Sequence, residues 1–484
     1  MTALDVAVLL GAVLVGLASS TTPRCHSAAL TAGGTPRPST RIDRRWLRRG
    51  LAGVAALAAL QWLLEGVYWH FVPAYALLLA VAPTAWSRRP AARASWLWRA
   101  ALVALSLLTL LPWLVFVPVP ELPPPSGPYA VGTQVFRWVD ETRAEPRTKA
   151  PDDLRNVVVQ AWYPAAEGAR GPRAPYIDGL GRLPTFVSLF PGLAMAYYGR
   201  IDTHAVVGAA PAAARPRWPV VLFSPGYGAS RAFYTGLVAD LASRGFVVLA
   251  VDHPYEVAVT ELASGRIATA IERFAGDAPD GAARMAQQEH VRAADLRFVL
   301  DRIALPDALG ALSGHLDLDR VAAIGHSFGG AAALLAMAED PRIAAAANLD
   351  GTLYGTLPEQ HLSRPVLLLE SDRRVTRHSP AYVDGNQRLL RNLGAVAYRF
   401  EIRATNHYSF TDASRLFSPP ARLALALWLG GSRGPEDTQR AAIDILVAFL
   451  ATSLRLSPAD VDAAAAHHGD IAGGRVSSGP DQDP

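Results

Sequence analysis

Cysteine is almost absent from this chain: among 484 residues only Cys25 carries a thiol. One thiol cannot close an internal disulfide or build a cysteine-based metal site, so both are excluded and the redox compartment stays undetermined. Lysine is as scarce, with Lys149 the lone example, and arginine supplies the remaining positive charge. The formal net charge of +4 is small for this length and leaves no electrostatic footprint for a nucleic-acid partner. Internal repeats are missing too. What the sequence has in excess is apolar residues, 51% of the total, concentrated in the first 120 or so positions.

Three apolar blocks fill that N-terminal quarter. The first, "ALDVAVLLGAVLVGLAS", lacks the positive n-region of a signal peptide and carries only Asp5, so a retained helix over 4–20 is expected. The second, Leu51 to Trp86, exceeds one span of about 20 residues and breaks near "EGVYWHFVP" into a hairpin, 51–67 and 70–86. The third predicts a helix over 98–117. Arg24, Arg37, Arg41, Arg44, Arg45, Arg48 and Arg49 separate blocks one and two, and Arg88, Arg89, Arg93 and Arg99 precede the last span. The positive-inside rule makes both loops cytoplasmic. Residues 1–118 then form a four-span, membrane-embedded region of the plasma membrane, and everything after about Pro118 lies on the extracytoplasmic side. Glu65 is the one acid in the hairpin, a position more often solvated than functional.

A stiff proline-rich linker, 119–127, follows. Residues 128–456 read as a catalytic α/β domain, because short apolar strands ("PVVLFSPG", "FVVLAVDH", "RVAAIGHS", "IAAAANLD", "PVLLLESD", "AVAYRFEI") alternate with helices. That alternation predicts a mostly parallel central sheet covered on both faces, with ligands bound at the carboxyl ends of its strands. Residues 457–484, small and polar, are expected to be disordered. The apolar, aromatic insertion Leu183 to Gly199 fits either a lid over the site or a helix packed on the core.

The chemistry centres on "AAIGHSFGGAAALL". A strand runs straight into Gly-His-Ser-Phe-Gly and a helix leaves it, which is the setting in which a serine hydroxyl is presented on a sharp turn. Ser327 is the candidate nucleophile. Its base must follow it in the chain, and His407, in "IRATNHYSF" after the predicted terminal strand, fits better than His361, His378, His467 or His468. Three carboxylates end suitable strands: Asp350, Glu370 and Asp372. Spacing does not choose among them, and each also suits a cap or a solvated turn. Oxyanion donors are expected from the backbone N–H groups of Phe328 and of Tyr227 in the glycine-rich "SPGYGAS" turn.

Taken together, "PVVLFSPGYGASRAFYTGLVADLASRGFVVLAVDH", "IGHSFGG", "NLDG" and "NHYSF" resemble the platelet-activating factor acetylhydrolase family of α/β-hydrolase serine esterases, from about Gly127 to Leu450. The resemblance implies an α/β-hydrolase fold with Ser327 as nucleophile, Asp350 as acid and His407 as base. It also implies Tyr227 and Phe328 as oxyanion donors, a lipid ester as substrate, and neither metal nor organic cofactor. Pro225 departs from the family, which has histidine there, and this bears on turn shape more than on chemistry. Competing expectations are an extracytoplasmic acyltransferase acting on envelope alcohols, a polyester or triglyceride hydrolase, and a non-catalytic membrane-anchored binding module.

Overall fold

The computed structural model describes residues 2–20, 44–66, 68–86, 96–179, 182, 185–187, 190–257, 259–271 and 280–476. Cys25 and the loop arginines Arg24, Arg37, Arg41, Arg88, Arg89 and Arg93 lie outside them. The chain divides into two compact units, Met1–Pro118 with Phe417–Ala421, and Val119–Leu416 with Arg422–Pro484.

The first unit is helical: α1 (Ala3–Ser20), α2 (Arg44–Leu64), α3 (Val72–Trp86) and α4 (Trp96–Val115). Three of these, α1, α2 from Arg45 and α4, are long and apolar enough to cross a membrane, with mean hydropathies of 2.1, 1.2 and 1.7. The second helix begins at Arg44, about two turns before the expected start at residue 51, because Arg44, Arg45, Arg48 and Arg49 are good helix formers and make up its first turns. α3 is only 15 residues long and follows a 3-10 turn at Trp69–Phe71. Small residues let α1 and α4 approach: a Cβ at Gly16 would sit 2.6 Å from Ser106 Oγ.

The second unit is built on a ten-stranded sheet in the order β14-β13-β12-β11-β10-β6-β7-β2-β1-β5. Its strands are β1 (Ala130–Ala144), β2 (Leu154–Ala165), β5 (Ala205–Val207), β6 (Trp218–Ser224), β7 (Val247–Asp252), β10 (Leu316–His326), β11 (Ile343–Leu349), β12 (Val366–Ser371), β13 (Ala397–Ile402) and β14 (Ile471–Val476). Two short hairpins, β3 (Phe186–Val187) with β4 (Phe190–Pro191) and β8 (Thr260–Glu261) with β9 (Ile267–Ala268), stand apart from it. The central six, β7-β6-β10-β11-β12-β13, are parallel. β6, β7, β11, β12 and the Val321–His326 half of β10 are almost wholly buried on both faces, which is why they read as apolar runs, whereas β13, with Arg399 and Glu401, is only partly buried. α6 (Gly281–Ile303), α7 (Phe328–Glu339) and α9 (Pro380–Arg391) pack on one face. α5 (Thr235–Ser243), α11 (Pro435–Ser453) and α12 (Val461–Ala466) pack on the other. Completing the helix set are α8 (Arg373–Thr376) and α10 (Pro419–Leu429).

One segment differs from expectation and two others take a definite form. The tail expected to be disordered from 457 forms α12 and then β14, antiparallel to β13 with Phe400 opposite Gly473. Ladder hydrogen bonds offered by an otherwise open edge outweigh the poor strand propensity of "IAGGRV", so β13 is not the terminal strand. The linker is anchored: Ser126 N–H donates to Asp240 Oδ2 at 2.9 Å and Gly127 N–H to Ser243 Oγ at 2.9 Å. Within the insertion, Gly192–Arg200 is a 3-10 helix whose Met195 and Tyr198 are buried with Tyr176, Ile177 and Val259. Leu183, Pro184, Ser188 and Leu189 lie outside the described residues.

Candidate active site

Parallel strands aim their carboxyl ends at one rim, and each candidate residue falls just past such an end. Ser327 follows β10 directly, Asp350 follows β11, the turn 225–227 follows β6, and His407 opens a 3-10 turn shortly after β13. The strand ladder continues into the site: Ser327 N–H donates to Leu349 O at 2.7 Å and Asp350 N–H to Leu369 O at 2.9 Å.

Ser327 has φ 55° and ψ −129°, a conformation that non-glycine residues seldom adopt. The strain is held by close packing around the turn. A Cβ at Gly325 would meet Gly329 O at 2.3 Å, and one at Gly329 would meet Ser224 O at 2.1 Å, so only glycine fits. The result points Ser327 Oγ at His407 Nε2, 3.0 Å away. His407 Nδ1 lies 2.8 Å from Asp350 Oδ2. A carboxylate only accepts, so Nδ1 carries the hydrogen and Nε2 is left to take the serine proton.

Burial of Asp350 raises its pKa, but hydrogen bonds from His378 and His407 outweigh burial and hold it well below the usual carboxylate range. It is therefore held in its ionised form. The other two carboxylates are committed elsewhere. Glu370 pairs with Arg399 at 3.0 Å, while Asp372 caps α8 through Arg374 N–H at 2.9 Å and accepts from Ala404 N–H at 2.8 Å. Of the three, Asp350 is the one that hydrogen-bonds His407.

On the oxyanion side the neighbouring amides are occupied. Gly226 N–H donates to Tyr234 Oη at 3.0 Å, Gly228 N–H to Glu256 O at 3.1 Å, and Gly330 N–H to Ser327 O at 2.9 Å. Phe328 is the first residue of α7, where amides have no intrahelical acceptor. The Tyr227 and Phe328 rings meet edge to face at 5.9 Å, which sets the two expected donor residues side by side. Pro225 lends its carbonyl to Arg292 Nη1 at 2.5 Å, and the same guanidinium stands 4.8 Å from the Phe328 ring centre.

Four further residues carry roles that the sequence did not signal. His326 accepts at Nδ1 from Tyr234 Oη, 2.8 Å away, and donates from Nε2 to the His407 carbonyl at 2.9 Å. This chain links the oxyanion turn to the backbone of the base. Burial, then the nearby His407, pushes His326 down to about 3, so it stays neutral. Arg292, fully buried on α6, is held by Glu256 at 2.6 Å. His378 contacts Asp350 from the other side at 2.8 Å. Ser371 donates to Asp350 through both N–H and Oγ at 2.8 Å. Nothing in local pattern marks these positions, since each acts through a partner far along the chain.

Ser327, His407 and Asp350 border a cavity of about 240 Å³ whose wall includes Phe328, Thr352, Tyr354, Arg377, His378 and Tyr382. A second set, Ser224 Oγ to His253 Nε2 at 2.9 Å and His253 Nδ1 to Asp295 Oδ2 at 2.8 Å, has the same distances. All three of its members are wholly buried, so it anchors the end of β6 and offers nothing to a substrate. Among the described residues no group of three or more His, Cys, Asp or Glu side chains is arranged to hold a metal ion.

The mostly parallel sheet and the strained strand-to-helix turn belong to the α/β-hydrolase fold. A ferulic acid esterase from Streptomyces cinnamoneus has a similar structure, with a TM-score of 0.62 and 32% identity over 73% of this chain and 99% of that one. The family model for platelet-activating factor acetylhydrolase, isoform II, matches residues 115–272 and 299–470, and that of the dienelactone hydrolase family matches 204–368. A probable 1-alkyl-2-acetylglycerophosphocholine esterase of Arthroderma benhamiae is 26% identical over 67% of this chain and 82% of its own length. The platelet-activating factor acetylhydrolase of Cavia porcellus is 26% identical over 52% of this chain and 60% of its own. The chain belongs to the platelet-activating factor acetylhydrolase isoform II family, as its motifs indicated, and its class is that of the ester hydrolases.

Proposed function

We propose that this protein hydrolyses a carboxylic ester of a lipid through a covalent acyl-enzyme on Ser327. His407 Nε2 takes the hydroxyl proton as Ser327 Oγ attacks the ester carbonyl. The developing imidazolium is stabilised by ionised Asp350, and the tetrahedral oxyanion by the N–H groups of Phe328 and Tyr227. His407 returns the proton to the departing alkoxide. Water then attacks the acyl-enzyme by the same route in reverse, releasing the acid and restoring Ser327. The observation that carries this reading is the unbroken Ser327–His407–Asp350 hydrogen-bond line at the wall of an open cavity.

A cavity this small admits the reacting end of a substrate and leaves a long lipid chain outside. That favours a short acyl group on a phospholipid, the chemistry named by the curated relatives. A second reading, esters of hydroxycinnamic acids, is favoured by the solved structural relative. Purified enzyme given short-acyl phospholipids and hydroxycinnamate esters separates the two. Fluorophosphonate labelling that survives Ser327→Ala would refute both. Products formed with an added acceptor alcohol separate hydrolysis from acyl transfer.

We infer a four-span anchor with the hydrolase outside the plasma membrane: three helices are long and apolar enough to cross, the 15-residue α3 is the fourth apolar helix, and the arginine-rich segments set the orientation. An alkaline phosphatase reporter fused after Pro120 is then active. An inactive reporter overturns the orientation.

A further inference from the structure

Asp350 serves two histidines. Its Oδ2 accepts from His407 Nδ1 and from Ser371 Oγ, each at 2.8 Å. Its Oδ1 accepts from His378 Nε2 at 2.8 Å, from Ser371 N–H at 2.8 Å and from Tyr382 Oη at 3.4 Å. His378 lies flat on Tyr382, ring centres 3.9 Å apart and planes 9° apart, with 5% of its side chain exposed. Two imidazoles therefore donate to opposite oxygens of one carboxylate, and His378 closes the wall of the same cavity that Ser327 and His407 border.

We propose that His378 is a positioning residue that fixes Asp350 and limits how much of its charge reaches His407. The inference rests on the catalytic reading of Ser327, His407 and Asp350. Each donor to a carboxylate draws on the same negative charge, so the hydrogen bond from His378 weakens the hold of Asp350 on a protonated His407. Removing that donor therefore strengthens the hold of Asp350 on a protonated His407.

The other groups around the pair do not compete for this role. His326 faces His407 at 4.6 Å between ring centres and stays neutral. Tyr382 is pushed well up by burial. Glu370 is paired with Arg399. Tyr408 flanks the exposed edge of His407, and Arg377, beside His378, is exposed and carries a fixed charge.

The test is the pH dependence of kcat/KM for p-nitrophenyl acetate with the full chain. His378→Phe keeps a ring against Tyr382 and removes the donor, whereas His378→Gln restores a donor. In His378→Phe the acid limb moves to higher pH by about half a unit to one unit, a fraction of what losing a charged hydrogen bond outright would give, because His407 feels the loss only through the shared carboxylate. In His378→Gln most of that shift disappears. Plateau kcat falls more than KM rises, because an Asp350 no longer fixed by His378 holds the His407 ring less firmly in line with Ser327 Oγ. Acid limbs that superimpose on wild type in both variants overturn the proposal, even if kcat drops. If His378→Phe does not fold, His378→Leu and His378→Asn carry the same comparison. Fluorophosphonate labelling of Ser327 in each variant keeps the two readings apart: an unshifted limb with labelling intact removes the role of His378 and leaves the catalytic set standing.

Discussion

Gly329→Ala adds one methyl group and tests whether the strained serine turn depends on backbone contact. The new Cβ would lie 2.1 Å from Ser224 O and 2.4 Å from Pro225 O. Ordinary contact begins near 3.5 Å, so the start of α7 and the end of β6 must part by about 1 Å. Both obstacles are carbonyl oxygens of a central strand and its turn, which cannot rotate aside as a side chain does. Overpacking of this kind costs about 1–3 kcal/mol, and the rigid backbone places this site at the upper end. Replacing a helical glycine by alanine returns up to about 1 kcal/mol, leaving a net loss of about 2 kcal/mol. For a unit of this size that is a fall in Tm of about 2–3 °C. Activity suffers more. The displaced segments carry the nucleophile and the oxyanion turn, and a 1 Å misplacement costs about 10²-fold in rate. Gly226→Ala is the milder comparison, because its Cβ meets the Tyr234 hydroxyl at 3.1 Å. Melting curves and kcat/KM on a soluble ester decide it. A Gly329→Ala enzyme with wild-type Tm and turnover refutes the reasoning.

Asp350→Asn keeps the shape of the acid but removes the charge and favours the wrong tautomer of His407. kcat falls about 10⁴-fold while fluorophosphonate labelling slows without vanishing. Arg292→Met removes the clamp on the Pro225 carbonyl, leaving Glu256 with Arg147 at 3.0 Å. kcat drops about 10–100-fold, the scale of one misplaced oxyanion donor, with KM little changed in steady-state assays. Asp412 accepts from Gly236 N–H and Tyr176 Oη, yet burial pushes it up to about 7. Its folded-state value therefore exceeds its unfolded one, near 4. Between those limits the unfolded chain sheds the proton and the folded one keeps it, so stability falls as pH rises from about 4 to 7. Asp412→Asn flattens that part of the Tm-against-pH curve.

The alternation of apolar strands and helices was legible because central parallel strands, buried on both faces, cannot hide their composition. Ser327 was legible for a different reason: three glycines within six residues are tolerable only where backbone passes close to backbone. The acid was not. β11 and β12 are adjacent and parallel, so Asp350, Glu370 and Asp372 end at the same rim, and only the partners of the last two remove them. β14 was hidden because "IAGGRV" pairs on the strength of what β13 offers; Gly473, at φ 110° and with Arg399 O at 2.0 Å from a would-be Cβ, is there for closeness and not for propensity. Arg292 and His378 sit in ordinary helical and loop sequence. Their importance is a property of the charge they face.

The buried line Ser224–His253–Asp295 shows why distance alone does not identify a nucleophile. Its hydrogen bonds, 2.9 and 2.8 Å, match those of Ser327–His407–Asp350, 3.0 and 2.8 Å. Three physical differences separate them. Ser224 ends a regular strand, whereas Ser327 is strained at φ 55°. His253 is wholly buried and held down by burial and by Arg292, while 31% of the His407 side chain is exposed. Asp295 is engaged by Arg155 at 2.6 Å and Arg143 at 2.9 Å, so its charge is already spent. A fluorophosphonate should therefore modify Ser327 and leave Ser224 untouched. Ser224→Ala loses about 1–2 kcal/mol, the cost of leaving the buried His253 Nε2 without its partner, yet still yields the labelled Ser327 peptide by mass spectrometry. Label found on Ser224 would mean that the rim above β6 opens to solvent, and burial would then be the wrong criterion for choosing between the two serines.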